Sequence, residues 1–271
     1  HYKKEDEYLK YEGRVTMVGN FSEAFAGIFS GLLAVYSLRL PFYVQSGIAF
    51  IGIPAAVALT EHAAKTRIKN SFANIVQIIQ YSLFTNKELC YNIMFSGVIG
   101  AATLTMAWFV QPLLIELDTP TSWFGIIWTI LNLTVGISAL YSDKLDQRLG
   151  SLRMYTLILF FIVGGYIAVA FNISYIGLVC LFFFYIVRGF ATPILKGYIN
   201  QITFSEMRAT VLSIRNFIIR LMFAAMAPLV GWLHDLYSLS IALQATAAII
   251  FVPGLLFLIL QYRYKPRETS L

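Results

Sequence analysis

Eight apolar runs, each about as long as a bilayer is thick, constrain this chain more than any motif in it. They cover residues 15–37, 42–60, 89–114, 122–142, 152–171, 175–198, 209–233 and 240–262. A helix rising 1.5 Å per residue needs ~20 residues to cross ~30 Å of hydrocarbon. Lipid offers no partner for peptide N–H and C=O groups, so such runs must satisfy their backbone internally as helices. The predicted fold is an all-α, polytopic membrane bundle of about eight transmembrane helices.

Composition supports this. Of 271 residues, 58% are hydrophobic and 13% charged, with a mean hydropathy of +0.71, a balance unsuited to a water-facing surface. The formal charge of +6 does not point to nucleic acid, because no hydrophilic segment is long enough to fold into a basic surface. Cys90 and Cys180 lie far apart without ligand-like neighbours, and His1, His62 and His234 are scattered, so neither a disulfide framework nor a metal site is expected, and no cofactor. The chain opens on His1 and a run of charged residues rather than on a signal peptide, which reads as something removed upstream.

Positive charge sets the orientation, since lysine and arginine are retained on the cytoplasmic side. Alternate connections hold Lys3, Lys4, Lys10 and Arg14; Lys65, Arg67, Lys69 and Lys87; Lys144, Arg148 and Arg153; Lys196 and Arg208; and Arg263, Lys265 and Arg267, against Arg39 alone on the opposite side. Both ends are therefore expected in the cytoplasm, of a cell (inner) membrane. The opposite loops, such as Phe171-Asn-Ile-Ser-Tyr175, leave no room for an external domain. The longest inner connection, 61–88, places Phe72, Ile75, Val76, Ile79 and Leu83 at helical spacing. This is either an amphipathic helix on the membrane face or an early start of the next span.

The stretch from Tyr175 to Asp235 carries the most specific pattern. Arg188-Gly-Phe-Ala-Thr-Pro193 sits in one apolar run, Tyr198-Ile-Asn200 ends it, and Arg208-Ala-Thr-Val-Leu-Ser213 opens the next. This resembles the tenth and eleventh helices of a major facilitator superfamily transporter. Ser142-Asp143-Lys144-Leu-Asp146-Gln-Arg148-Leu-Gly150 is similar to that family's signature turn between the eighth and ninth helices, although Ser151 and Leu152 stand where basic residues are usual. The resemblance implies a cytoplasmic latch formed by Asp143, Lys144, Arg148 and Gly150. Those residues also fit a solvated turn with a glycine cap.

With two runs before the long connection and six after it, the resemblance implies an incomplete fold: the fifth to twelfth helices of a two-lobed transporter, the first four absent. The expected division is 1–60 for the last two helices of the N-terminal lobe, 61–88 for a linker, 89–262 for a complete C-terminal six-helix lobe, and 263–271 for a tail. Gly27 and Gly31 form a small-xxx-small pair suited to close helix approach.

Arg188, Arg215 and Arg220 are the informative charges, because an arginine in hydrocarbon needs a cavity or a partner. Arg188 and Arg220 are candidates for lining a substrate cavity, with Trp108, Gln111 and Asn132; a purely structural role for the arginines stays open. Glu23, an acidic residue within an apolar run, is a candidate coupling-proton carrier or an arginine's partner. The expected function is secondary active transport of an unidentified small molecule by alternating access, with the lipid bilayer, the substrate and the missing helices as partners and a monomeric state. The alternatives are a membrane-embedded enzyme, for which the chain shows no converging acid–base or metal groups, and a transport-inactive structural or sensor relative.

Overall fold

The computed structural model describes residues 7–37, 39–58 and 72–264, all of whose regular structure is helical. The charged residues Lys3, Lys4, Lys65, Arg67, Lys69, Lys265 and Arg267, with His1 and His62 and most of the expected linker and tail, lie outside the described residues.

The helices are α1 (Tyr8–Tyr36), α2 (Leu40–Val57), α3 (Phe72–Gln80), α4 (Lys87–Glu116), α5 (Thr121–Leu140), α6 (Ser142–Leu149), α7 (Ser151–Phe171), α8 (Tyr175–Gln201), α9 (Arg208–Leu236) and α10 (Leu239–Tyr264). Each of the eight apolar runs forms a helix among the described residues. Six helices among the described residues, α4, α5 and α7 to α10, are long and apolar enough to cross a membrane. The other two fall short for different reasons. Asn20, Ser22, Glu23 and several glycines dilute the apolar character of α1, and the apolar part of α2 is shorter, Leu40–Pro54.

Local chemistry explains the boundaries. Asn86 is extended and its side chain accepts from the Leu89 N–H at 3.0 Å, so α4 starts there as a separate helix. The preceding α3 widens into a π-helical turn over Tyr81–Thr85 and packs through Ile78, Tyr81 and Leu83 against Leu89, Ile93 and Ile218. Ile75 and Val76 remain exposed. Ser174 caps α8 by accepting from the Ile176 N–H at 3.2 Å. The turn before α7 is itself a short helix, α6. It ends at Gly150, whose φ of +73° suits glycine and whose N–H bonds Asp146 O at 2.8 Å.

In the bundle, α4 is flanked by α9 and α10, α7 by α10 and α8, and α8 by α7 and α5; α1 lies along α5 and reaches α8. The main core threads Phe95, Met106, Tyr166, Phe184 and Tyr185 between these helices. Tyr166 shows how a polar atom is accommodated there: its hydroxyl donates to Ala102 O on α4 at 2.6 Å, and its ring meets Phe184 edge-on.

Backbone approach is closest at glycines. A Cβ on Gly13 would lie 2.5 Å from Ala139 O, and one on Gly189 would lie 2.6 Å from Val135 O, so α1, α5 and α8 meet backbone to backbone. Gly27 meets α5 at Trp128 and Thr129, whereas Gly31 points a Cβ into open space. Gly189→Ala is therefore expected to destabilise the protein by about 1–3 kcal/mol, because the clash is with backbone. Gly164→Ala, with nothing within 4 Å of the added atom, should be neutral or stabilising. Thermal unfolding of both variants in detergent tests the contrast.

Candidate functional site

Two polar regions lie along α8. The first is at the level where α8 meets α5 through Gly189. Arg188 is half-buried, its guanidinium lies 5.2 Å from the centroid of the Tyr185 ring, and its Nη1 is buried with no hydrogen-bond partner. The buried Tyr185 hydroxyl faces the Arg188 side chain without closing a well-formed hydrogen bond to it, and has no other partner among the described residues. Asn132 on α5 is fully buried; its Nδ2 donates to Trp128 O at 3.0 Å, and its Oδ1 has no partner. Asn132 lies one turn before Val135, and Tyr185 one turn before Gly189, so the contact between Gly189 and Val135 sets the two side chains at similar depth. Glu23 on α1 is exposed, next to Ala24, whose carbonyl accepts from Thr129 Oγ1 of α5 at 3.0 Å.

Three sequence-derived candidates stand apart from this group. Trp108 and Gln111 share an exposed face of α4, and Arg220 is exposed on α9; none makes a hydrogen bond among the described residues. Arg215 is the arginine most completely enclosed. It is 4% exposed, its Nε donates to Ser96 Oγ at 2.5 Å and its Nη1 to Asn216 Oδ1 at 3.1 Å, which ties α9 to α4. A half-satisfied guanidinium at Arg188 and a bonded one at Arg215 are different chemical objects.

The second region joins the start of α1 to the last turns of α8. Lys196 Nζ donates to Glu12 Oε1 at 2.6 Å, and the Tyr8 hydroxyl donates to Glu12 Oε2 at 2.9 Å. Leu9 covers Gly197 beside them. Burial, and then the Glu12 carboxylate, push the Tyr8 hydroxyl well above the usual phenol range, so it remains a proton donor to Glu12. Neither Glu12 nor Tyr8 stood out in the sequence, because each lies in a hydrophilic stretch whose charges look solvated.

The turn residues hold a different set of contacts. Asp143 Oδ1 accepts from Gln147 Nε2 at 3.0 Å within α6, Lys144 sits over the Tyr141 ring, and Arg148 is exposed. Asp146 of this turn accepts a hydrogen bond from Tyr198 on α8, and Leu145 and Leu149 pack against the core. No group of three metal-ligating side chains occurs among the described residues.

Residues 2–221, from the start of the chain through α8 and into α9, match the family model of the Major Facilitator Superfamily. The chain belongs to that superfamily. It is accordingly an integral membrane protein of a transporter family, which agrees with its six apolar helices. No curated protein matches it.

The Glu12–Lys196 pair has side chains 12% and 28% exposed, between a solvated and a fully buried pair. A double-mutant cycle with Glu12→Gln and Lys196→Met, read by thermal unfolding, is expected to give a coupling of about 1 kcal/mol favouring the pair. Additive single effects would mean that the two charges are held together only by packing.

Proposed function

We propose that this chain belongs to a secondary active transporter that moves a small molecule by alternating access, with its substrate path beside Arg188. The observation that carries the reading is the unspent bonding capacity along one stretch of the bundle: buried Arg188 Nη1, Tyr185 Oη and Asn132 Oδ1, of which the first two face each other and none closes a well-formed hydrogen bond. A bundle core normally bonds such groups, and a cation left partly unsatisfied among them suits a ligand with an anionic or acceptor-rich group. In this reading Arg188 binds, Asn132 and Tyr185 orient, and Trp108, Gln111 and Arg220 line further parts of the path.

Glu23 is assigned the coupling proton, because it is the acidic residue within the apolar run of α1, beside the Ala24 contact with Thr129 of α5. Movement of α1 against α5 would then change its surroundings. α1 and α2 are read as the last two helices of one lobe, residues 89–262 as the other, and α3 as the surface helix between them, with both chain ends facing the cytoplasm of a cell membrane. The Glu12–Lys196 pair then closes the cytoplasmic side between the lobes and must break for that side to open. The Asp143 to Gly150 turn serves as the latch of the second lobe, its reach across to α8 supplied by Asp146.

The test is substrate-library uptake and efflux in cells expressing the full-length protein. Arg188→Ala should lower the transport rate at least tenfold with normal membrane insertion, and Glu23→Gln should abolish the dependence of accumulation on a proton gradient while sparing exchange. Unchanged rate and affinity in Arg188→Ala would remove that residue from the path. A wild-type protein that inserts and transports nothing would favour the sensor role instead.

A further inference from the structure

A cavity of about 360 Å³ opens where the ends of α4, α6, α7, α8 and α10 converge, and the transport argument uses one of its walls, the Asp146–Tyr198 contact, but not the space itself. Its walls include Glu88, Asp146, Tyr155, Tyr198, Gln261 and Tyr264. Tyr198 is ten residues beyond Arg188 on α8, ~15 Å along the helix, so this is a separate place from the Arg188 group.

Three features of the wall define what it would accept. The first is charge. Glu88 and Asp146 line the cavity, no lysine or arginine does, and Glu88 has no ion pair among the described residues. Lys87 is held outside at the rim, where its Nζ donates to the Tyr264 hydroxyl at 3.3 Å. The second is aromatic surface. Tyr155 and Tyr198 stand with ring centroids 4.9 Å apart, a pair whose faces favour a cation, whereas the Tyr264 ring, 5.3 Å from that of Tyr91, already carries the Lys87 ammonium at 5.5 Å from its centroid. The placement of the first pair is fixed, since Tyr155 donates to Asn92 and Tyr198 to Asp146.

The third feature is Gln261. It is 5% exposed and sits beside the Tyr155 hydroxyl, whose proton goes to Asn92, and neither its Oε1 nor its Nε2 closes a well-formed hydrogen bond. A buried primary amide with so poorly met a bonding capacity is costly, and here it lines an open volume. A ligand that both donates and accepts would satisfy it. A volume of this size is at the small end of ligand sites, enough for a few heavy atoms around one charge.

We propose that this cavity binds a small organic ammonium ion carrying a hydroxyl or carbonyl group. The cationic head sits between Glu88 and the tyrosine rings, and the polar group bonds Gln261. In the orientation given above the site faces the cytoplasm. Its occupancy is read by binding alone, so it stands or falls independently of transport.

The probe is choline, compared with 3,3-dimethylbutan-1-ol, which has its shape without its charge, by calorimetric titration of the full-length protein in detergent. Choline should bind at least tenfold more tightly than the alcohol. Glu88→Gln should weaken choline at least fivefold with an unchanged unfolding temperature. Gln261→Leu should lose choline affinity while raising the unfolding temperature, because the orphaned amide is gone. That opposite movement of binding and stability distinguishes a ligand site from a packing defect. Equal affinity for the two probes, or choline affinity unchanged in both variants, overturns the proposal, and the cavity then holds water only. Phospholipids present the same head group, so the titration is repeated in phosphatidylglycerol nanodiscs with and without phosphatidylcholine. Competition assigns the ammonium to a lipid, and unchanged affinity assigns it to a soluble amine.

Discussion

The demand that every peptide group find a partner where water is absent governs this protein. It forces the apolar runs into helices, and it decides how closely they can pack. Without a hydrophobic force between helices in lipid, contact depends on shape, and the backbone approach at Gly13 and Gly189 gives α1, α5 and α8 their common seam. Arg188, Asn132 and the Glu12–Lys196 pair lie along this seam or at its ends.

The same demand makes the exceptions informative. Tyr166 and Arg215 are buried polar residues that the bundle satisfies, one through Ala102 O and the other through Ser96 and Asn216. Arg188, Asn132 and Gln261 are residues that it leaves partly or wholly unsatisfied. Burial alone would rank Arg215 as the most unusual arginine. Partner accounting moves attention to Arg188, since a bonded guanidinium serves structure and an open one is available to a ligand.

The two polar regions on α8 also differ in consequence. The Glu12–Lys196 pair joins residues 184 apart in sequence through a single strong contact. Such a contact resists separation of α1 from α8 while remaining breakable, because both side chains retain some access to water. At the Arg188 level no comparable bond joins α1 and α8 among the described residues.

The sequence by itself determined the helical membrane class, the positions of the apolar helices, the separate helix ahead of α4 as one of two open readings, and the family. Each of these rests on hydropathy, capping or local residue pattern, properties that a short window of chain contains. Tertiary structure decided that Arg215 is bonded while Arg188 is not, that Asp146 rather than Asp143 reaches α8, that Glu12 meets Lys196, and that Gln261 faces a cavity. Those outcomes depend on how far each helix is rotated and advanced against its neighbours. Rotation and register are fixed by packing between distant segments, such as the Val135 backbone against Gly189, and no local pattern encodes them.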